Sequence, residues 1–162
     1  MKAVARELGV EYLRQTCKDE LKRAIPKLRE TVGDRAILRA CHFFDENERV
    51  AELKKALKEN DLDAFFAGIL ASGRSSFCYL QNVFTTKNVS EQGVSLALCI
   101  AEDYLATRGG AWRVHGGGFA GTVQSFVPTD KVEEFSAAIE SVFGEGSCLV
   151  LSIRPDGAIK VL

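Results

Sequence analysis

No C-x-x-C pair, no surplus of either charge and no long apolar run occurs in this chain, and each absence closes off a class of function. The five cysteines (Cys17, Cys41, Cys78, Cys99 and Cys148) are odd in number and scattered. That is the pattern of reduced thiols in a cytoplasm, not of a disulfide frame or a zinc site. His42 beside Cys41 does not amend this, because adjacent side chains on a helix diverge, and this chain is expected to hold no metal by itself. A formal net charge of −1 supplies no global field to draw nucleic acid or an anionic membrane, and the basic stretch from Lys18 to Arg29 reads as a solvated helix face. The segment "TRGGAWRVHGGG" contains one R-G-G without any basic excess, which gives no RNA-binding signature. No run approaches the ~20 apolar residues needed to cross a bilayer, and Lys2, Arg6 and Glu7 argue against a secretory signal. The G-K-[ST] of a nucleotide P-loop is also missing.

What is present suits one domain over residues 1–162, long enough to bury roughly 70% of its unfolded surface without staples. The first two thirds read as helical. "ERVAELKKALKEN" sets Val50, Leu53 and Leu57 on one stripe, and Asn60 or Asp61 then caps "LDAFFAGIL", whose apolar face holds Phe65, Phe66, Ile69 and Leu70. A third long helix carries Val94, Leu98, Ala101 and Leu105, and is stopped by Gly109 and Gly110 with Arg108 in its last turn. The period then changes. "AWRVH", "TVQSFV" and "SCLVLSI" alternate as short strands, the last with Leu149, Leu151 and Ile153 on one face. Between the last two, Asp130 and Glu133 form a D-x-x-E start for a helix burying Val132, Phe135, Ile139 and Val142, ended by Gly144 and Gly146. "RPDG" is a turn and "AIKVL" a final strand. The order, helices followed by β-loop-β-α-β-β, predicts an α+β fold with helices packed on one face of a small, mainly antiparallel sheet.

Four of the 14 glycines crowd between Gly116 and Gly121. Gly116-Gly117-Gly118-Phe119-Ala120-Gly121 satisfies G-x-G-x-x-G, but a dinucleotide site needs a helix next and an acid at the end of the following strand. Here a second strand follows, and the acid at the right distance, Glu140, sits within a helix. Two readings stay open on the residues alone. One is a tight β-turn where backbone crosses closely over a helix. The other is a concavity of exposed N–H groups for an anion such as phosphate, with His115 and Arg113 as cationic neighbours.

"RVHGGGFAGTVQSFVP" resembles the third conserved motif of the galactokinases, within the galactokinase, homoserine kinase, mevalonate kinase and phosphomevalonate kinase superfamily, whose form reads T-G-G-G-F-G-G-C. The helical stretch from His42 to Val83 is similar to the family's, with an E-N-x-R-V and a later S-x-x-S-x-x-x-x-L, and "GSCLVLSIRPDGAIKVL" is similar to its C-terminus. From about Cys41 to Leu162 the resemblance is continuous. It departs at His115 for Thr, Ala120 for Gly, Thr122 for Cys and Gly73 for His, which weighs against direct sugar contacts from these positions.

The resemblance implies the ferredoxin-like C-terminal domain of a bacterial sugar kinase that transfers phosphate from ATP to the anomeric hydroxyl of galactose in the cytoplasm. The family's main phosphate loop, P-x-G-x-G-L-S-S-S-A, and its sugar motif, G-R-x-N-L-I-G-E-H, are not in this sequence, and its catalytic Asp and Arg belong to the N-terminal portion. The resemblance therefore implies no catalytic residue in this chain and an inactive chain on its own, with Met1 expected to be an introduced start. Gly116, Gly117, Gly118, Phe119 and Gly121 would line the cleft and help hold ATP, with His115 and Arg113 as further cleft residues. Phe119 is expected to anchor the turn in the core, and Trp112 to be a core residue of its strand. Mg2+ ligands, like most contacts to galactose, would come from the N-terminal domain. The alternatives are a non-catalytic sensor of sugar and nucleotide, and a kinase for another small sugar.

Overall fold

Apolar residues at three- and four-residue spacing dominate the chain up to Leu105. The structure, a computed structural model describing residues 1–119 and 121–153, is helical over most of that length. Helices α1 (Lys2–Glu7), α2 (Lys18–Thr31), α3 (Asp34–Lys58), α4 (Leu62–Ser75) and α5 (Gly93–Leu105) come first. Strands β1 (Ala111–Val114) and β2 (Val123–Phe126) and helix α6 (Val132–Phe143) follow. Asp61 caps α4 as its position suggests, its carboxylate accepting the Ala64 N–H at 2.9 Å. Just past α5 the Arg108 guanidinium donates to the Tyr104 carbonyl at 2.8 Å, a cation at the negative end of the helix.

The helices α1, α2 and α3 bury one cluster built on Val4, Leu13, Leu21, Leu28, Ile37 and Phe44. A second centre forms around the hairpin. Strands β1 and β2 run antiparallel, Ala111 opposite Phe126 and Val114 opposite Val123. Period-two alternation puts Ala111, Arg113 and Phe126 on one face and Trp112, Val114 and Val123 on the other. Helix α4 covers the first, with the Phe65 ring edge-on to Phe126 at 5.4 Å. Helices α5 and α6 cover the second, where Val94 meets Val114 and Trp112 packs against Ala101, Leu105 and Phe135. The mixed α+β character stands, but helices flank the hairpin on both faces instead of one. With only two strands, each apolar face of β1 needs its own cover.

Three further expectations change. Residues 147–153 pair with no strand among the described residues, and Leu151 and Ile153 are 86% and 90% exposed; alternation supplies side-chain pattern but not the ladder partner that strand backbone requires. The "RPDG" turn and "AIKVL" strand lie outside the described residues. The D-x-x-E pair caps nothing, since a 3-10 turn (Thr129–Lys131) leads into α6 without a side-chain cap. Finally, Val50, Leu57 and Val142 lie exposed, while Ala56 is buried and Leu53 rests against Gly68 of α4. The missing side chain at Gly68 leaves the space that Leu53 fills.

Along the rest of that interface runs a polar seam. His42 Nδ1 lies 2.9 Å from Ser75 Oγ, Ser72 Oγ donates to Glu46 Oε2 at 2.7 Å, and Glu46 pairs with Arg49. His42, Ser72 and Ser75 are buried, so each needs such a partner. The E-N-x-R-V and S-x-x-S segments are thus the two sides of one contact. On its other side α4 presses against β1 at Gly73, where an added Cβ would stand 3.1 Å from Arg113 Cβ and 3.2 Å from the Trp112 carbonyl oxygen.

Two outcomes follow from this packing. Replacing Gly73 with Val overfills the α4–β1 crossing and should lower stability by about 1–3 kcal/mol in chemical denaturation; an unchanged midpoint would contradict the crossing. Burial pushes the His42 imidazole below its ordinary range, Arg49 and Arg113 adding to this and Glu46 and Asp45 opposing it. Below the unfolded value of ~6.5 the unfolded chain therefore binds the proton more readily than the folded one, and stability falls as pH drops through that window. The stability of wild type minus that of His42→Gln should be level above that value and decline below it. A pH-independent difference would refute the assignment.

Candidate functional site

After the Val114–Val123 pair the strands make one more bond, His115 N–H to the Thr122 carbonyl at 2.8 Å, which closes the base of the glycine loop. Above it the backbone is left-handed at Gly116 (φ +63°), Gly118 (φ +70°), Phe119 (φ +54°) and Gly121 (φ +94°). The loop has two unlike halves. Nothing lies within 4 Å of where a Cβ would stand on Gly116 or Gly117, so their backbone faces open space. At Gly118 a Cβ would run into the Asn82 carbonyl oxygen and stand 2.7 Å from its Nδ2. Close approach to protein is thus the requirement at Gly118, while Gly116 and Gly117 are exposed, with room for a side chain at each.

The anchor beneath the loop is built by the end of α4. At Ser75 the helix loosens into a π-helical turn (Ser76–Leu80), which closes when Gln81, itself left-handed at φ 55°, donates its N–H to the Ser76 carbonyl at 2.7 Å. Such turns recur at functional sites. The reversal at Gln81 buries Asn82, whose carbonyl accepts the Phe119 N–H at 2.7 Å. Among the described residues only Asn60, Gln81 and Phe119 have positive φ without being glycine, and two of these three flank this single hydrogen bond. Strain of order 1–3 kcal/mol per residue persists only where surrounding structure over-determines it.

The residues singled out from the sequence fall into place unevenly. His115 is exposed at the foot of the loop. Arg113 is half-buried under α4, with Nε donating to the Val114 carbonyl at 3.1 Å. Trp112 packs in the core as expected. The Phe119 ring, expected to anchor the turn in the core, is 50% exposed; its amide does the anchoring, because a left-handed residue at the tip turns the ring outward while the backbone faces Asn82. Sequence reasoning missed Asn82 altogether. A neutral residue just after a helix carries no periodic signal, and only the close approach at Gly118 exposes its importance. No group of three or more His, Cys, Asp or Glu side chains converges among the described residues, and no described helix is long and apolar enough to cross a membrane. A shallow apolar hollow of about 440 Å³, lined by Met1, Ala5, Tyr12, Leu13 and Phe43 among others, includes no residue of the loop.

No family model matches the chain. Among curated proteins, it is 31% identical over 138 residues to the galactokinase of Actinobacillus pleuropneumoniae, covering 83% of this chain and 33% of that protein. It is 30% identical over 129 residues to the galactokinase of Glaesserella parasuis, covering 80% of this chain and 31% of the relative. With the galactokinase of Homo sapiens it shares 31% identity over 160 residues, 98% of this chain and 37% of the human protein. The chain thus spans about a third of the length of the curated relatives it matches. Over this length the chain is similar to the galactokinases, as a segment consistent with their C-terminal part.

Proposed function

We propose that this chain forms the C-terminal, ferredoxin-like domain of a cytoplasmic galactokinase and contributes one wall of the cleft in which ATP phosphorylates galactose at its anomeric hydroxyl. The observation that carries this reading is the open backbone at Gly116 and Gly117, held over a base that is fixed at both ends by hydrogen bonds. Phosphoryl transfer makes small demands for covalent help from protein and large ones for positioning and charge neutralisation. Amides held in place once the phosphates are bound meet that need as charge moves.

On this reading Gly116, Gly117, Gly118, Phe119 and Gly121 lie along the nucleotide phosphates or the loop that cradles them. His115, exposed at the loop's foot, is the nearest cationic candidate. Arg113, tied to its own strand, shapes the loop from beneath. Mg2+ would travel with the nucleotide and take its protein ligands from the preceding two thirds of the enzyme, as would galactose and the attacking-group base. The exposed apolar run of Leu149, Val150, Leu151 and Ile153 suits a segment that pairs with further structure.

Gly117 offers the sharpest test, since its φ is not left-handed and a side chain there meets nothing within 4 Å. In enzyme assembled from this chain and its upstream portion, Gly117→Val should reduce galactose-dependent ADP release at least tenfold and leave the thermal midpoint unchanged. Wild-type turnover in a folded variant would remove the loop from the cleft.

A further inference from the structure

The side chain of Asn82 is 2% exposed, and neither its Oδ1 nor its Nδ2 has a hydrogen-bond partner among the described residues. More than nine in ten buried polar groups are paired, and a carboxamide left bare in this way is worse for the folded protein than an apolar side chain of the same shape. Its sequence neighbour Val83 packs with Val94 and Val114 in an apolar cluster that offers no partner. What the amide does face is the glycine loop: the site of a Cβ on Gly118 is 2.7 Å from Nδ2 and 2.8 Å from Cγ.

We infer that Asn82 is a positioning residue for the anion-holding arrangement of the glycine loop, its carboxamide completed by loop backbone when phosphate is bound. The inference rests on the phosphate reading of the loop. The left-handed Gly118 lies directly against the amide, and Gly116 and Gly117 have free space in which to shift. Rotation of a loop peptide there presents an N–H to Asn82 Oδ1 or a carbonyl to Nδ2, and re-aims the neighbouring amides. The Asn82 carbonyl holds the Phe119 N–H throughout and acts as the pivot. Anion binding and pairing of the amide are then one event, and each favours the other.

A structural amide and a positioning amide respond oppositely to Asn82→Leu. A structural one, paired at rest through water, would lose stability. The positioning amide predicts a thermal midpoint equal to or above wild type, with affinity for inorganic pyrophosphate weakened about five- to tenfold, read by 1H–15N titration of the Gly116 and Gly117 amides. In the wild-type chain the Asn82 side-chain NH2 pair should shift along the same titration curve as those amides. Loop amides that respond while the Asn82 NH2 stays still, with the Leu variant binding equally well, would overturn the inference alone. A Leu variant that is destabilised or unfolded would overturn it too. Wild-type loop amides indifferent to millimolar pyrophosphate would sink the phosphate reading and this inference together.

Discussion

The glycine loop depends on two close backbone approaches, one that leaves little room for a Cβ at Gly73 and one that leaves none at Gly118. Gly73 lets α4 lie against the backbone of β1, and Gly118 lets the loop lie against the chain that leaves α4. Between them α4, its π-helical turn and the hairpin become one unit, joined at its far end by the hydrogen bond from Phe119 to Asn82. The loop is glycine-rich for reasons that differ from residue to residue: Gly118 lies against Asn82, while Gly116 and Gly117 have room for a side chain.

Behind this unit stands the seam between α3 and α4. Apolar side chains alone would set the separation of two helices but leave their sliding register loosely specified. The pairs His42–Ser75 and Ser72–Glu46, with Arg49 on the same carboxylate, are directional and fix that register. Because α4 carries the turn that ends at Asn82, the seam sets where the loop is held although it touches no loop residue. Desolvation favours the neutral form of His42, which suits a side chain that pairs with a serine.

Much of this was legible in the sequence where periodicity was strong. The helices around Ile69 and Ala101, the cap at Asp61, the hairpin strands and the core position of Trp112 follow from spacing and from cap chemistry. The misses have specific causes. Residues 147–153 alternate like a strand, but pairing depends on a partner elsewhere in the chain, which no local pattern reveals. Val50 and Leu57 fit a helical stripe yet lie exposed, and of that stripe Leu53 rests against α4 where Gly68 lacks a side chain. The loop itself stood out by composition, but its anchor did not. Asn82 is a single polar residue whose meaning lies in the backbone it faces, and the outward Phe119 ring reverses what its size suggests. The E-N-x-R-V and S-x-x-S segments were visible as patterns, but that they form one seam needed three dimensions.

We propose that this chain provides one wall of a phosphate-handling cleft and that an upstream portion, as the greater length of its relatives suggests, provides the other. This is tested most directly by measuring galactose-dependent ADP release from the chain alone and from the chain mixed with the separately produced upstream two thirds of the protein. The account predicts no turnover by either part alone and turnover once the two associate. Turnover by this chain alone, or none from a folded and associated pair, would contradict it.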